Sequence, residues 1–261
     1  MQVLKSIKQE VEKFEGDISV CFKNLLTNEM VVSHNIDKGH FSASIIKVHI
    51  LLAVLNEVMQ NRLSLKQNIK ISKDITWDTN SIFHEQNSKS EKLETLLHFM
   101  IITSDNVATN VLIDLLGFDT INNYCKSIGL TSVKLNRFMN DSKAQERGIE
   151  NYLSNADTLK TFELLYTKQI LNNDLCDYAL KVLSLQRLNN ASLRYIWKDY
   201  VCYHKTGTLE NHKLRNDCGI IVINNTPYYF GVLVQKAKDL ISANKFIGGI
   251  VKQFVNYVES L

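Results

Sequence analysis

The side chains best suited to chemistry in this chain are two serines, two lysines, an asparagine and a threonine, arranged in three short motifs. Ser44-Ile45-Ile46-Lys47 places a hydroxyl and an amine at i and i+3 where a helix is expected to begin. Side chains at that spacing share a helical face, so the Lys47 amine can reach the Ser44 hydroxyl. The run after Lys47 is apolar, and desolvation favours the neutral amine that can serve as a base. A serine at a helix start also lies beside an unpaired backbone N–H, a donor suited to an oxyanion. The same spacing recurs at Ser242-Ala243-Asn244-Lys245, in what reads as an ordinary surface helix, so the pair alone decides nothing. Ser104-Asp105-Asn106 falls in the elbow between two expected helices. Lys205-Thr206-Gly207-Thr208 falls at the expected end of a strand, where a glycine lets a substrate approach the backbone. Taken singly, these read as a helix cap, a turn and a solvated strand end. Their occurrence together and in this order points to nucleophilic catalysis by Ser44.

These residues need a scaffold, and the chain can build one. It has 261 residues, 45% hydrophobic and 22% charged, which suits one large globular domain or two small ones. Thirty Lys and Arg against 27 Asp and Glu leave +3, too small a bias to argue for nucleic acid or an anionic membrane. A single proline and ten glycines exclude collagen-like and low-complexity chains. Val3, Ile7, Val11 and Phe14 mark an amphipathic N-terminal helix, followed by strands over Ile18–Leu25 and Met30–His34 around a Thr27-Asn28 turn. Ser44–Gln60 reads as a buried central helix. Further helices are expected over Leu93–Thr103, Val107–Leu116, Phe118–Ile128, Asn155–Tyr166 and Leu175–Gln186, with Ser154 as an N-cap. Strands return at Tyr200–Thr206, Cys218–Ile223 and Tyr228–Gln235, the last two joined by a tight Asn224-Asn225 turn, before a closing helix.

The expected fold is therefore mixed α/β: an antiparallel sheet of about five strands, flanked by N- and C-terminal helices, with a helical domain inserted. Residues 1–40 and 190–261 would form the sheet domain and 41–189 the helical one, with the active site in the cleft between them. No stretch approaches the roughly 20 apolar residues of a membrane span. The first ten residues show no signal peptide, which places the chain in the cytoplasm, or outside the cell if a signal was trimmed before Met1. Cys21, Cys125, Cys176, Cys202 and Cys218 are odd in number and never paired as CxxC, and read as reduced structural cysteines. The histidines show no HExxH or paired-ligand spacing, so neither metal nor cofactor is expected. His204 reads as a strand packing residue, and Trp77 and Phe83 as either an aromatic wall of the cleft or core.

S-x-x-K, S-D-N and K-T-G in this order are the trio of class A β-lactamases and penicillin-binding proteins. Over essentially the whole chain the sequence resembles the class A β-lactamase family, and Arg215, ten residues after Lys205, resembles that family's basic position beside the K-T-G strand. The resemblance implies a β-lactamase/penicillin-binding-protein-like fold. It implies Ser44 as nucleophile, Lys47 as general base, and Ser104 as proton relay to the departing ring nitrogen. Asn106 would hydrogen-bond the substrate's side-chain amide. Lys205, Thr206 and Arg215 would hold its carboxylate, and the backbone N–H groups of Ser44 and Thr208 would form the oxyanion hole.

One departure stands out. Leu135-Asn136-Arg137-Phe138-Met139 resembles the start of the family's long loop, with Arg137 as its brace, and Met139 falls where the deacylating glutamate would be. A thioether cannot take a proton from water. Asp141, Glu146 and Glu150 follow in the same stretch and read as solvated loop acids ahead of a recruited base; Glu150 and Asp141 are both open as partners for Arg137. Three activities are weighed: a β-lactam hydrolase with slow or atypical deacylation, which is favoured; a D-alanyl peptidase or esterase; and a binder or sensor that stays acylated. In each, a monomer is expected to act on a small acyl substrate, with neither nucleic acid nor membrane as partner.

Overall fold

The computed structural model describes residues 2–75, 78 and 80–261. The chain divides into two compact units, one made of residues 1–45, 153–163 and 188–261, the other of residues 46–152 and 164–187.

The first unit is built on a five-stranded antiparallel sheet. Its strands are β1 (Asp17–Asn24), β2 (Met30–His34), β3 (Cys202–Leu209), β4 (Leu214–Ile223) and β5 (Thr226–Gln235), in the order β2-β1-β5-β4-β3. The hairpin between β4 and β5 turns on Asn224 and Asn225, both at positive φ (49° and 61°), the backbone that a two-residue turn requires. Alternate β1 and β5 side chains (Ile18, Val20, Phe22; Phe230, Val232, Val234) face the N-terminal helix Gln2–Lys13 and the C-terminal helix Leu240–Glu259. Phe22 stacks on Phe254 at 4.1 Å between ring centroids, and Ile7, Val11, Ile247 and Val251 complete the layer. Burying each such side chain contributes about 1.5–3 kcal/mol, which holds both terminal helices on the sheet.

On the sheet's other face, Asn155 pins the start of its helix. Its Nδ2 donates to Ser19 Oγ (3.1 Å) and to the Gly231 carbonyl (3.0 Å), and Tyr229 Oη donates to its Oδ1 (2.7 Å). A Cβ on Gly231 would lie 2.1 Å from that same Oδ1, so only glycine fits there. Ser154 caps this helix as expected, its Oγ accepting from Asp157 N–H at 3.1 Å.

The second unit is mostly helical. Its central helix, Ile46–Met59, is buried without interruption from Ile46 to Leu55, since helices pack around every side of it. Helices Leu93–Ile102, Asn106–Leu116, Phe118–Ser127 and Asn173–Ser184 accompany it. A short ladder pairing Asn68–Lys70 with Ser90–Lys92 is an addition that periodicity does not reveal, because three residues are too few to display alternation.

The structure corrects two boundaries that matter for the site. The K-T-G-T segment lies inside β3, not at its end: Thr206, Gly207 and Thr208 pair with Asp217, Asn216 and Arg215, and β4 accordingly begins at Leu214. Ser44 lies in a 3-10 turn, Ala43–Ile45, that precedes the α-helix, with Ala43 held at φ 43°. All five cysteines are buried and none forms a disulfide. Burial pushes the Cys21 thiol up to about 12 and raises those of Cys202 and Cys218 as well.

Candidate active site

The first unit gathers Ser44, Lys205, Thr206, Thr208 and Arg215. Gly207 explains how β3 reaches the Ser44 turn. A Cβ at Gly207 would lie 3.0 Å from Ala43 Cβ, 3.1 Å from Ser44 N and 3.2 Å from the Ser42 carbonyl. Without a side chain there, the strand packs directly on the turn, and the Thr208 amide follows in the chain one residue beyond the contact. Two backbone N–H groups of this kind, from Ser44 and Thr208, are the donor type an oxyanion needs. Lys205 is fully buried and its Nζ donates to the Thr206 carbonyl at 2.9 Å. Arg215 sits opposite Thr208 in the register. It donates to Thr208 Oγ1 and to Asn190 Oδ1, the latter at 2.5 Å. Behind this strand pair, His204 Nδ1 lies 2.8 Å from Asp217 Oδ1 and its Nε2 3.0 Å from Asn189 Oδ1, while the Ser192 N–H donates to Asp217 Oδ2. His204 is thus part of the packing and hydrogen bonding behind the strand.

The second unit gathers Lys47, Ser104 and Asn106. Lys47 is fully buried, the second residue of the central helix. Its Nζ donates to the Ser104 carbonyl (2.7 Å), to Ser104 Oγ (3.1 Å) and to Asn106 Oδ1 (2.6 Å). Burial lowers the Lys47 ammonium to about 7, a fall that the negative charges of Asp105 and Asp78 partly oppose. An amine poised there can both accept and release a proton near neutrality. Ser104 presents its hydroxyl from a left-handed backbone (φ 59°) in the elbow between two helices, a conformation costing about 1–3 kcal/mol outside glycine. Asp105 builds the elbow: its carboxylate accepts from Ala108 N–H (2.8 Å), Ser81 Oγ (2.9 Å) and Ile82 N–H (3.2 Å). The control serine behaves differently. Ser242 forms a capping box with Asp239 and Lys245 is exposed, which is the plain role for that spacing.

Two residues that sequence reasoning missed also belong here. Asp78 Oδ2 accepts from Asn106 Nδ2 at 2.7 Å, and both residues line a cavity of about 480 Å³ with Ser104, Asn80, Glu85 and Arg187 among the others. Asn110, one helical turn after Asn106, clamps the backbone of Met139: it accepts from Met139 N–H (2.7 Å) and donates to the Met139 carbonyl (3.1 Å). The i, i+4 spacing of Asn106 and Asn110 was the available signal. Phe83 packs edge-on against Phe99 and is core; Trp77 lies outside the described residues.

The loop that carries Met139 is closed at its base. Asn151 Oδ1 accepts from the N–H groups of Asn136 (2.7 Å) and Arg137 (3.0 Å), and Asn136 Nδ2 donates to the Glu150 carbonyl (2.8 Å). Arg137 pairs with Glu150, not Asp141, at 2.5 Å, with both side chains only 4% exposed. Asp141 instead caps Ser142–Glu146, accepting from Ala144 N–H at 2.9 Å, and Glu146 is exposed. Removing one member of a buried ion pair leaves the other charge uncompensated. Glu150→Ala is therefore expected to lower unfolding free energy by about 3–5 kcal/mol, read as a shift in the urea midpoint.

The beta-lactamase enzyme family model matches residues 2–258, nearly the full length. The chain belongs to the beta-lactamase enzyme family. Beta-lactamase VEB-1 of Pseudomonas aeruginosa is 26% identical over 230 residues, covering 82% of this chain and 76% of the relative. The extended-spectrum beta-lactamase PER-1 of the same species is 27% identical over 229 residues, covering 80% and 72%. Among solved structures, a beta-lactamase from Chitinophaga pinensis superposes with a TM-score of 0.91 at 22% identity, covering 99% of this chain and all of that one. PBP-A superposes with a TM-score of 0.89 at 22% identity, covering 100% and 97%. These likenesses match the mixed α/β beta-lactamase fold that the sequence led us to expect.

Proposed function

We propose that this beta-lactamase opens the ring of its β-lactam substrate through an ester on Ser44. In the acylation step Lys47 takes the Ser44 proton as the hydroxyl oxygen bonds to the ring carbonyl carbon. The C–N bond then breaks and the ring nitrogen receives a proton through Ser104. Asn106 meets the substrate's side-chain amide; Lys205, Thr206 and Arg215 hold its carboxylate; the Ser44 and Thr208 amides receive the oxyanion. Water then cleaves the ester, releasing the ring-opened acid and restoring the Ser44 hydroxyl. The observation that carries this reading is the Lys47 amine, fully buried, lowered to about 7 and bonded to Ser104 Oγ and Asn106 Oδ1.

A second reading concerns the last step. Met139 is buried and fixed by Asn110, and its thioether cannot activate water. Long-lived acylation, the behaviour of a penicillin-binding protein, is favoured by that one position. A mutant PBP-A has itself been solved as an acyl-enzyme complex with penicillin G. A time course of intact mass with penicillin G tests both readings. Regeneration of unmodified enzyme supports turnover; a permanent adduct overturns it and supports the binder. No adduct together with no consumption of penicillin G overturns the nucleophilic role of Ser44. Met139→Glu is expected to shorten the adduct lifetime at least about 10²-fold, by supplying a general base. An unchanged lifetime would remove Met139 from the deacylating position.

A further inference from the structure

We propose that the buried His204–Asp217 pair and the segment Asn189–Ser192 form a positioning assembly for Arg215. The assembly orients the guanidinium through a neutral oxygen, Asn190 Oδ1, and so leaves its positive charge for the substrate. The proposal rests on the reading that Arg215 holds the substrate carboxylate. A guanidinium has only N–H groups to offer, so the acceptors around it dictate its plane. Arg215 is 7% exposed, and its terminal nitrogens donate to Thr208 Oγ1 and to Asn190 Oδ1, the latter at 2.5 Å. Its Nε is buried and has no partner among the described residues. Among those residues no carboxylate lies within ion-pair distance of it either. Asp217 is the carboxylate whose charge acts on Arg215, yet its oxygens are taken by His204 Nδ1 (2.8 Å) and by the Ser192 N–H (3.0 Å).

Asn190 is exposed and lies outside the helices and strands, where a side chain left to itself samples several rotamers. The chain on either side of it is tied down. Before it, Asn189 Oδ1 lies 3.0 Å from His204 Nε2; after it, the Ser192 N–H reaches Asp217, and Ala191 and Ser192 are fully buried. His204 and Asp217 are bonded to each other, with side chains only 2% and 0% exposed. Arg215 and Asp217 are two residues apart on β4 and therefore share a face of the sheet, so the anchor and the group it serves stand side by side. All of these residues belong to the first unit. A carboxylate at position 190 would accept from Arg215 as well as the amide does, but it would also neutralise the guanidinium. An amide oxygen orients without neutralising.

The test compares second-order rates of ring opening, with enzyme in excess, for penicillin G and for its methyl ester, which carries no free carboxylate. The proteins are wild type, Asn190→Ala, Asn190→Asp, Asn189→Ala, the double variant Asn189→Ala/Asn190→Ala, and Arg215→Ala. Both asparagines are exposed, so their variants should fold as wild type does. Asn190→Ala is expected to slow penicillin G about tenfold, the worth of one hydrogen bond to a charged group, and to leave the ester nearly unchanged. Asn190→Asp keeps the acceptor but pairs with Arg215 and repels the substrate carboxylate. It should cost penicillin G at least about tenfold and again spare the ester. A side chain that merely shaped the segment would leave Asn190→Asp equal to wild type. Asn189→Ala should slow penicillin G to a smaller extent and add little in the double variant, because it acts through Asn190. Equal losses on both substrates in Asn190→Ala, a wild-type preference in Asn190→Asp, or additive losses in the double variant would overturn the proposal. Arg215→Ala separates the two levels. If it loses equally on both substrates, the reading of Arg215 falls and the proposal with it; if it discriminates between them while the Asn190 variants do not, the proposal alone falls.

Discussion

Ser44→Ala is expected to abolish covalent labelling by penicillin G altogether, with no adduct detectable at any incubation time by intact mass. The ester needs an oxygen on the Cβ of residue 44, and nothing else in the 3-10 turn Ala43–Ile45 can supply one. The substitution is isosteric apart from that oxygen, at a half-buried position, so folding should be little affected. Unchanged circular dichroism together with complete loss of adduct is the expected pair of results. An adduct of normal mass on Ser44→Ala would place the nucleophile elsewhere and end the mechanism proposed above.

Lys47→Ala should slow acylation by about 10²–10⁴, the usual worth of a positioned general base. Much of that loss should be specific to the amine's titration. In the wild type, Lys47 lowered to about 7 predicts an acylation rate that is level above that pH and falls with a slope of one proton below it. The sign follows from the cause: burial disfavours the charged form, so the base-competent neutral amine is already abundant near neutrality. Lys47→Ala should flatten this acid limb as well as lower the rate. A variant that is slow yet keeps the same limb would assign the titration to another group.

The three motifs were legible because each is local. Ser44 and Lys47 are one helical turn apart, Ser104 to Asn106 is a tripeptide, and Lys205 to Thr208 is one stretch of strand. The sheet was legible for the same reason, since β-rich runs and the Asn224-Asn225 turn announce themselves within ten residues. What escaped depends on partners far along the chain. Asp78 reaches its site by bonding Asn106, 28 positions later, and Asn110 by bonding Met139, 29 positions later. The choice of Glu150 over Asp141 as the partner of Arg137 is likewise set by how the loop closes, through Asn136 and Asn151, and not by spacing. The end of β3 was placed early because Gly207 looks like punctuation in a sequence. In the folded chain it is a strand residue whose missing side chain admits the Ser44 turn.

The sulfur chemistry of the molecule has a practical corollary. Thiolates are stronger nucleophiles than alcohols, and a reactive sulfhydryl could open an activated lactam on its own. Here every sulfhydryl is packed away from water, and for Cys21, Cys176, Cys202 and Cys218 ionisation is disfavoured. Cysteine is therefore expected to add no background to β-lactam labelling, and under the mechanism proposed above a single mass increment would report on the turn ahead of the central helix.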